Sequence, residues 1–416
     1  MPPPSQSKSL DEIAASLLAD KGLELVSCTP VQSLWAGYGH ICRVQARPPA
    51  AKENRRDDEG HLRKILSYQV EQHFYAHLAP RLSEFRRGGD GEEEEDEEVT
   101  VAECLGSVHD GTTTALLLRD LQRERQQQRF PLALEKRGFL TPDLVDAALD
   151  WLAGFHGFFW RPDQKARYYA NPEHLVPPPL EFVASSQSTG SSNGAPSPAV
   201  IHGVWQNGGY TYLATRRSEY AALEDDRDSE WSEALCQAAS SSSGRSVAEQ
   251  AAYYVSPAHP ATAPYATLIH GDVKSENMFG RRGGSSPTAS TKTAKVAFFD
   301  FQYVGLGLGV CDLAKLFTCS VPVSFLVVVS SSKSSFPSTL SMQEGEEALL
   351  RRYLTRLEAV SGKAYPWDVF VAHWEAALVD WLRFQASWGF WGNTQWLEAR
   401  VRDIISRRKA EGWGEP

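Results

Sequence analysis

Four residues late in the chain have the types and spacing for chemistry. In LIHGDVKSENMFG, 268–280, His270 is followed by Asp272 two residues on and by Asn277 five further. In VAFFDFQ, 296–302, a second apolar run ends at Asp300. Two carboxylates and an amide at the ends of apolar runs can hold a metal-bound phosphate and accept a hydroxyl proton. The spacing fits phosphoryl transfer, where an aspartate, an asparagine five residues on and a downstream Asp-Phe pair share one site. Asp272 is then the base. Asn277 and Asp300 offer a neutral and an ionised oxygen to a hard ion such as Mg2+. His270 is expected to brace the loop, and Lys274 to contact the transferred group.

Other readings exist for each residue. Asp and Asn routinely do no more than satisfy turns, and Asp300 could simply end a strand. It is the combined spacing that favours a site. A hydrolytic metal centre built on His270, Asp272 and Asp300 lacks a second histidine at ligand spacing. Asp312, in GVCDLAKLF, is explained as a helix N-cap, with bracing of the catalytic loop as a second role.

These residues need elements to position them. Ala266 to Ile269 and Val296 to Phe299 read as buried strands, and RRGGSSPTASTKT, 281–293, as a flexible insertion between them. Leu62, Leu66, Val70, Phe74 and Leu78 form one helical stripe over 61–82. Glu71 sits beside it, either as a solvated carboxylate or as a partner for a nucleotide-positioning lysine. Thr141 and Pro142 mark the start of a central helix whose stripe runs to Phe159. His156 lies near that stripe and reads as a core histidine. Residues 23–47 read as two strands around Gly37 and Gly39, a turn that could approach a phosphate and equally a plain hairpin. Strands are expected over 99–111 and 112–122, and helices from 342 to the end.

The bulk numbers bound the class. A chain of 416 residues can bury a sizeable core and form two lobes. A net charge of −10 argues against general nucleic-acid binding, which needs basic surface. The six cysteines form no C-x-x-C pair, which points to a reduced, cytoplasmic setting. No signal peptide is read at the start, and the apolar run at 321–331 is too short to span a membrane. Residues 1–9, the acidic run 88–98 and the segments 184–198, 239–246, 281–293 and 330–338 read as disordered or flexible. Nothing in the sequence reports an oligomeric state.

The motifs IHGDVKSEN and FFDFQYVGLGLGVCDLAKLF resemble the aminoglycoside phosphotransferase and choline kinase group, closest to its ecdysteroid-kinase-like, or CHK kinase-like, branch. SLWAGYGHICRV, DEGHLRKILSYQVEQHFY, ALLLRDL and ALDWLAGFHGFFW extend the similarity across 31–317, and more loosely 343–406. The resemblance implies an α+β, two-lobed protein-kinase-like fold. Its small β-rich N-lobe with one helix would cover 10–121, and its large, mainly helical C-lobe 122–416. It implies ATP in the cleft, Gly37 and Gly39 near its phosphates, and Glu71 paired to a small-lobe lysine. The 116–122 segment, with Asp120 and Leu121, would be the hinge. The implied activity is ATP- and Mg2+-dependent transfer of the γ-phosphate to a hydroxyl of a small molecule.

The chain departs from the pattern at that lysine. Between the Gly turn and Glu71 only Lys52 and Lys64 occur, one in a polar loop and one on the helix of Glu71 itself. A catalytically impaired binding or scaffold protein is therefore the alternative reading. A protein kinase fits less well, because Asp300-Phe301 continues into Gln302 where glycine is expected. Trp374, Trp381, Trp388, Trp391 and Trp396 could wall a cationic acceptor. The seven-residue step from Trp374 to Trp381 favours core packing.

Overall fold

Hydrophobic periodicity sets the elements, and the computed structural model places them. It describes residues 9–19, 24–33, 40–47, 59–82, 99–109, 114–124, 127–168, 174–182, 201–237, 244–283, 293–327 and 336–411. The Gly37–Gly39 turn, the acidic run 88–98, the segment 184–198 and most of the other Ser/Gly segments lie outside these residues. The fold is α+β, as the resemblance implied, and divides into two compact units, 1–58 and 59–416.

The first unit holds helix α1 (Leu10–Ala19) and the antiparallel strands β1 (Glu24–Ser33) and β2 (His40–Arg47), with Glu24 opposite Arg47 and Ser33 opposite His40.

The second unit opens with α2 (Glu59–His73), which continues through a π-turn, Phe74–Leu78, to residue 82. Leu66, Val70, Phe74 and Leu78 are buried, as their four-residue spacing requires. Strands β3 (Cys104–His109) and β4 (Thr114–Leu118) pair as a hairpin, and β5 (Arg123–Glu124) pairs with β6 (Gln127–Gln128). Strand β7 (Leu132–Ala133) precedes α3 (Pro142–Trp160), the central helix. Thr141 stands at its N-cap but makes no side-chain cap bond. Its hydroxyl donates instead to Asp143 at 2.5 Å. Helix α4 (Pro162–Tyr168), strands β8 (Leu175–Val176) and β9 (Val204–Trp205), and α5 (Arg217–Asp225) follow.

Helix α6 (Val247–Tyr254) begins directly after the Ser run read as flexible, 239–246, whose last residue is its N-cap. Ser246 accepts from the Glu249 N–H, and the Glu249 side chain accepts from the Ser246 N–H, a reciprocal capping box. Next come β10 (Thr267–Ile269), β11 (Met278–Arg281), β12 (Lys295–Phe298), β13 (Gly305–Gly307), α7 (Gly309–Cys319) and the short α8 (Val323–Leu326). The chain ends in α9 (Glu344–Ser361), α10 (Trp367–Trp388) and α11 (Thr394–Glu411).

Two small sheets carry the site. One has the order β10-β13-β9-β8, antiparallel at β10/β13 and parallel elsewhere. The other is β12-β11-β7, all antiparallel. Helix α3 packs between them and α9, with nearly every residue from Leu144 to Trp160 buried. Gly157 lets α9 approach closely, since a Cβ there would lie 2.8 Å from that of Val360. Trp374, Trp381 and Trp396 are buried core, whereas Trp388 is 51% exposed. Among the described residues, no helix is long and apolar enough to cross a membrane.

Candidate active site

The loop after β10 is fixed from beneath by α7. The N–H groups of His270 and Gly271 both donate to the Asp312 carboxylate, at 2.7 and 2.9 Å. Asp312 is fully buried and lies inside α7, whose N-cap is Leu308, so it braces the loop and does not cap the helix. Burial alone would raise its pKa. The His156 hydrogen bond at 3.1 Å and the nearby Lys315 charge hold it below the ordinary carboxylate value. His156 reaches the Tyr353 hydroxyl through its other nitrogen at 2.7 Å, so the core histidine links α3, α7 and α9.

Lys315, one turn beyond Asp312, donates its Nζ to the Gly271 carbonyl at 2.5 Å. The peptide units on both sides of Gly271 are thereby held. Gly271 has φ +86°, and a Cβ there would meet the Tyr303 carbonyl oxygen at 2.3 Å, so glycine is required on two counts.

His270 ties the two halves of the site together. Its Nδ1 accepts the Asp272 N–H at 3.2 Å, which leaves Nε2 as the protonated nitrogen, donating to the Phe299 carbonyl at 3.0 Å. Burial pushes its pKa down and keeps the ring neutral.

Beyond it, Asp272 Oδ2 accepts from Lys274 Nζ at 2.9 Å and from Asn277 Nδ2 at 3.2 Å. The Asn277 amide also donates to the Asp272 carbonyl at 2.9 Å. A 3-10 turn, Ser275–Asn277, sets this geometry. It is anchored where the Ser275 N–H donates to Ser320 Oγ at 2.8 Å. Burial opposes the Lys274 charge, but Asp272 and Glu276, the latter at 3.3 Å, hold its pKa well above the usual value.

Asp300 arrives from β12. Met278 pairs with Phe298 across the hairpin, and the Phe299 N–H donates to the Asn277 carbonyl at 3.0 Å, so Asn277 and Asp300 are delivered together. Asp300 has φ +65°, a left-handed conformation that costs a residue with a Cβ about 1–2 kcal/mol. Its Oδ1 is buried without a hydrogen-bond partner. Burial, then the Asp272 charge, pushes its pKa up to about 6. A cation is the natural complement of an orphaned carboxylate oxygen beside a second carboxylate. The available donors are two carboxylates and the Asn277 Oδ1, all hard oxygens suited to Mg2+. Among the described residues, no three His, Cys, Asp or Glu side chains converge on a point, so phosphate and water oxygens would have to complete such a site.

Glu71 approaches from α2, but not toward a lysine. Its Oε1 accepts the Phe301 N–H at 3.1 Å, and no ion pair joins it to a lysine among the described residues. Burial, then the Asp300 charge, pushes its pKa up to about 7. Lys64 is exposed on α2, and Lys52, Gly37 and Gly39 lie outside the described residues. Phe301 stacks on Phe74 at 3.9 Å and touches the His270 ring at 4.6 Å, a column from α2 to the catalytic loop. Asp120 is exposed and accepts the Gln122 N–H at 2.8 Å, while Leu121 is half-buried against the core.

The structure thus gathers His270, Asp272, Lys274, Asn277, Asp300 and Glu71. Lys315 and Ser320 join them without having been singled out in the sequence. For Lys315 the signal was a lone lysine three residues after Asp312, on the same face of an otherwise apolar helix.

Residues 216–328 match the model of the ecdysteroid kinase-like family. Similar solved structures include a GDP complex of an aminoglycoside 2′-phosphotransferase-IIIa variant, 13% identical over 98% of this chain and 96% of that one, with a TM-score of 0.33. Another is a GDP and kanamycin complex of APH(2″)-IIIa, 11% identical over 97% and 100%, with a TM-score of 0.35. Scores this low carry no weight for function. No curated protein matches. Over just over a quarter of its length, the part holding His270, Asp272, Asn277, Asp300 and Asp312, the chain is similar to the ecdysteroid kinase-like family.

Proposed function

We propose that the chain is an ATP- and Mg2+-dependent phosphotransferase that moves the γ-phosphate to a hydroxyl of a small molecule. The single observation that carries this reading is the buried, unpartnered Asp300 Oδ1 beside Asp272 and Asn277. Lys274 pairs with Asp272 but leaves Asp300 Oδ1 unmet, a gap that a divalent ion would fill. When bound, Mg2+ would neutralise charge on the phosphoryl oxygens and fix their position.

The protein's own groups do the rest. Asp272 has Oδ2 engaged by Lys274 and Asn277, so Oδ1 is the atom that would serve as the base. It would accept the hydroxyl proton as the new P–O bond forms and the bond from the γ-phosphorus to the departing ADP breaks, a contribution of about 10²–10⁴ in rate. Lys274 offsets the charge on Asp272 and would steady the transferred group. Asp312 and Lys315 fix the Gly271 peptide, and with it the Asp272 backbone. The half-exposed Trp388 stacks on Phe384, and Tyr210 lies between Trp388 and Tyr303. The rings of Tyr210, Phe384 and Trp388 surround the buried Arg216 guanidinium, 4.2–5.3 Å from their centres.

Asp300→Ala is expected to abolish Mg·ATP-dependent transfer while the circular dichroism spectrum is retained. Full activity in that variant with a verified acceptor would overturn the metal assignment. The second reading, a nucleotide-free scaffold, is favoured by the Glu71 contact to backbone where a lysine was expected. A thermal-shift titration with Mg·ATP separates the two, because saturable stabilisation is incompatible with that scaffold.

A further inference from the structure

Four histidines outside the catalytic loop, His73, His77, His174 and His202, lie near where α2 packs beside β9. His73 and His77 lie four residues apart, and their rings stand 4.8 Å centre to centre, tilted by 42°. The backbone from Phe74 to Leu78 is the π-turn, which shifts the helical phase just where the pair occurs. One turn earlier on α2, Gln69 Oε1 accepts the Ile201 N–H at 2.9 Å. That bond brings the strand segment alongside the helix, and His202 is the next residue. Strand β9 then runs parallel to β8, with Leu175 opposite Val204. His174 directly precedes β8, and its carbonyl oxygen would lie 2.3 Å from a Cβ at Gly203. His174 and His202 therefore stand just ahead of two paired strands, on backbone that runs side by side.

His73 is the least exposed of the four. Its Nδ1 is buried with no hydrogen-bond partner. Burial, then His77, His174 and His202, holds its pKa down to about 4, which places all three within electrostatic reach. Imidazole nitrogens in a group, one of them stranded, are donors for borderline transition ions and poor ligands for Mg2+. Glu71 and His73 are two residues apart on the helix and do not share a face, so this corner is separate from the Asp300 site.

We propose that His73 and His77 chelate a divalent transition ion, with Zn2+ as the probe, and that His202 and His174 close around it. The first two are the preformed half. Among the described residues no three donors already converge, so the exposed His174 and His202 side chains reach the ion by changing rotamer. Binding would fasten α2 to the β8–β9 sheet. The same helix carries Glu71 and Phe74, which touch Phe301, so occupancy would stiffen the support of the catalytic loop.

The test is calorimetric titration of Zn2+ into the full-length protein in buffer containing excess Mg2+. His77→Ala and His202→Ala remove exposed side chains and leave the core untouched. The expected result is one saturable Zn2+ site, weakened on the order of 10–100-fold by His77→Ala and measurably by His202→Ala. Asp300→Ala should leave the Zn2+ affinity unchanged. Absence of saturable binding by the wild type, or equal affinity in His77→Ala, would overturn the site. Equal affinity in His202→Ala would overturn the closing role of the strand histidines.

Discussion

Replacing Glu71 by glutamine keeps an oxygen for the Phe301 N–H, met at 3.1 Å in the wild type, and removes a charge. Burial, with the Asp300 charge behind it, lifts the Glu71 pKa from 4.5 to about 7. At ~1.36 kcal/mol for each tenfold change in proton affinity, full ionisation costs the folded state roughly 3 kcal/mol. Solvent contact at this part-buried side chain trims that to about 2 kcal/mol. Well below pH 4.5 the carboxyl is protonated in both states and the cost vanishes. Between 4.5 and about 7 the unfolded chain ionises first, so folding stability falls as pH rises. Above about 7 the whole cost is present. Asp300, raised to about 6, acts in the same direction. Urea unfolding at pH 5 and pH 8, followed by tryptophan fluorescence, reads the difference. Glu71→Gln should be more stable than the wild type by about 2 kcal/mol at pH 8, narrowing to below about 1 kcal/mol at pH 5. Equal stabilities at pH 8, or a less stable variant there, would refute the reasoning. A cation bound at Asp300 favours the ionised carboxylates, so Mg2+ should narrow the gap at pH 8.

Three further changes probe the loop support. Asp312→Asn puts an amide against the His270 and Gly271 N–H groups and should cost about 3 kcal/mol or more in urea unfolding. Because the Asp312 pKa is held down, its stabilisation is complete above the unfolded value and fades only as pH falls through the lowered one. The variant's acid unfolding should therefore be shallower than the wild type's. Gly271→Ala combines φ +86° with a Cβ 2.3 Å from the Tyr303 carbonyl oxygen, and calorimetry should show a loss of roughly 2–4 kcal/mol. Lys315→Met leaves the Gly271 carbonyl without its side-chain donor and should cost about 1–3 kcal/mol by the same measurement.

The core of the site was legible because it is local. Asp272 and Asn277 belong to one turn, so their spacing reports their geometry directly. Asp300 was legible because a buried strand announces where it ends. Glu71 was found by its place beside a helical stripe, but its partner was not. That partner is a backbone N–H 230 positions away, and backbone donors leave no mark on residue type. Asp312 was ambiguous for the same reason, since both its roles involve accepting backbone N–H groups. Ser246 shows the opposite failure. Its Ser-x-x-Glu capping signal was present and was masked by the serines around it. Trp374 and Trp381 share the buried face that their seven-residue step implies, whereas Trp388, seven further on the same face, reaches solvent at the residue where the helix ends.

The β11–β12 hairpin separates two kinds of distance. Arg281 faces Lys295 and Met278 faces Phe298, so the gap between Asn277 and Asp300 is set by strand register and not by the length of chain joining the strands. Lengthening the connection between Arg281 and Lys295 adds loop entropy that grows only logarithmically, about 0.6 kcal/mol per doubling. Adding one residue within either strand would turn every later side chain to the opposite face. An epitope tag or fluorophore could therefore be carried in the connection as a reporter, while the strands themselves tolerate no change of length. Evolution has the same freedom there, since the connection can drift in length and composition under a register that holds Asn277 and Asp300 together.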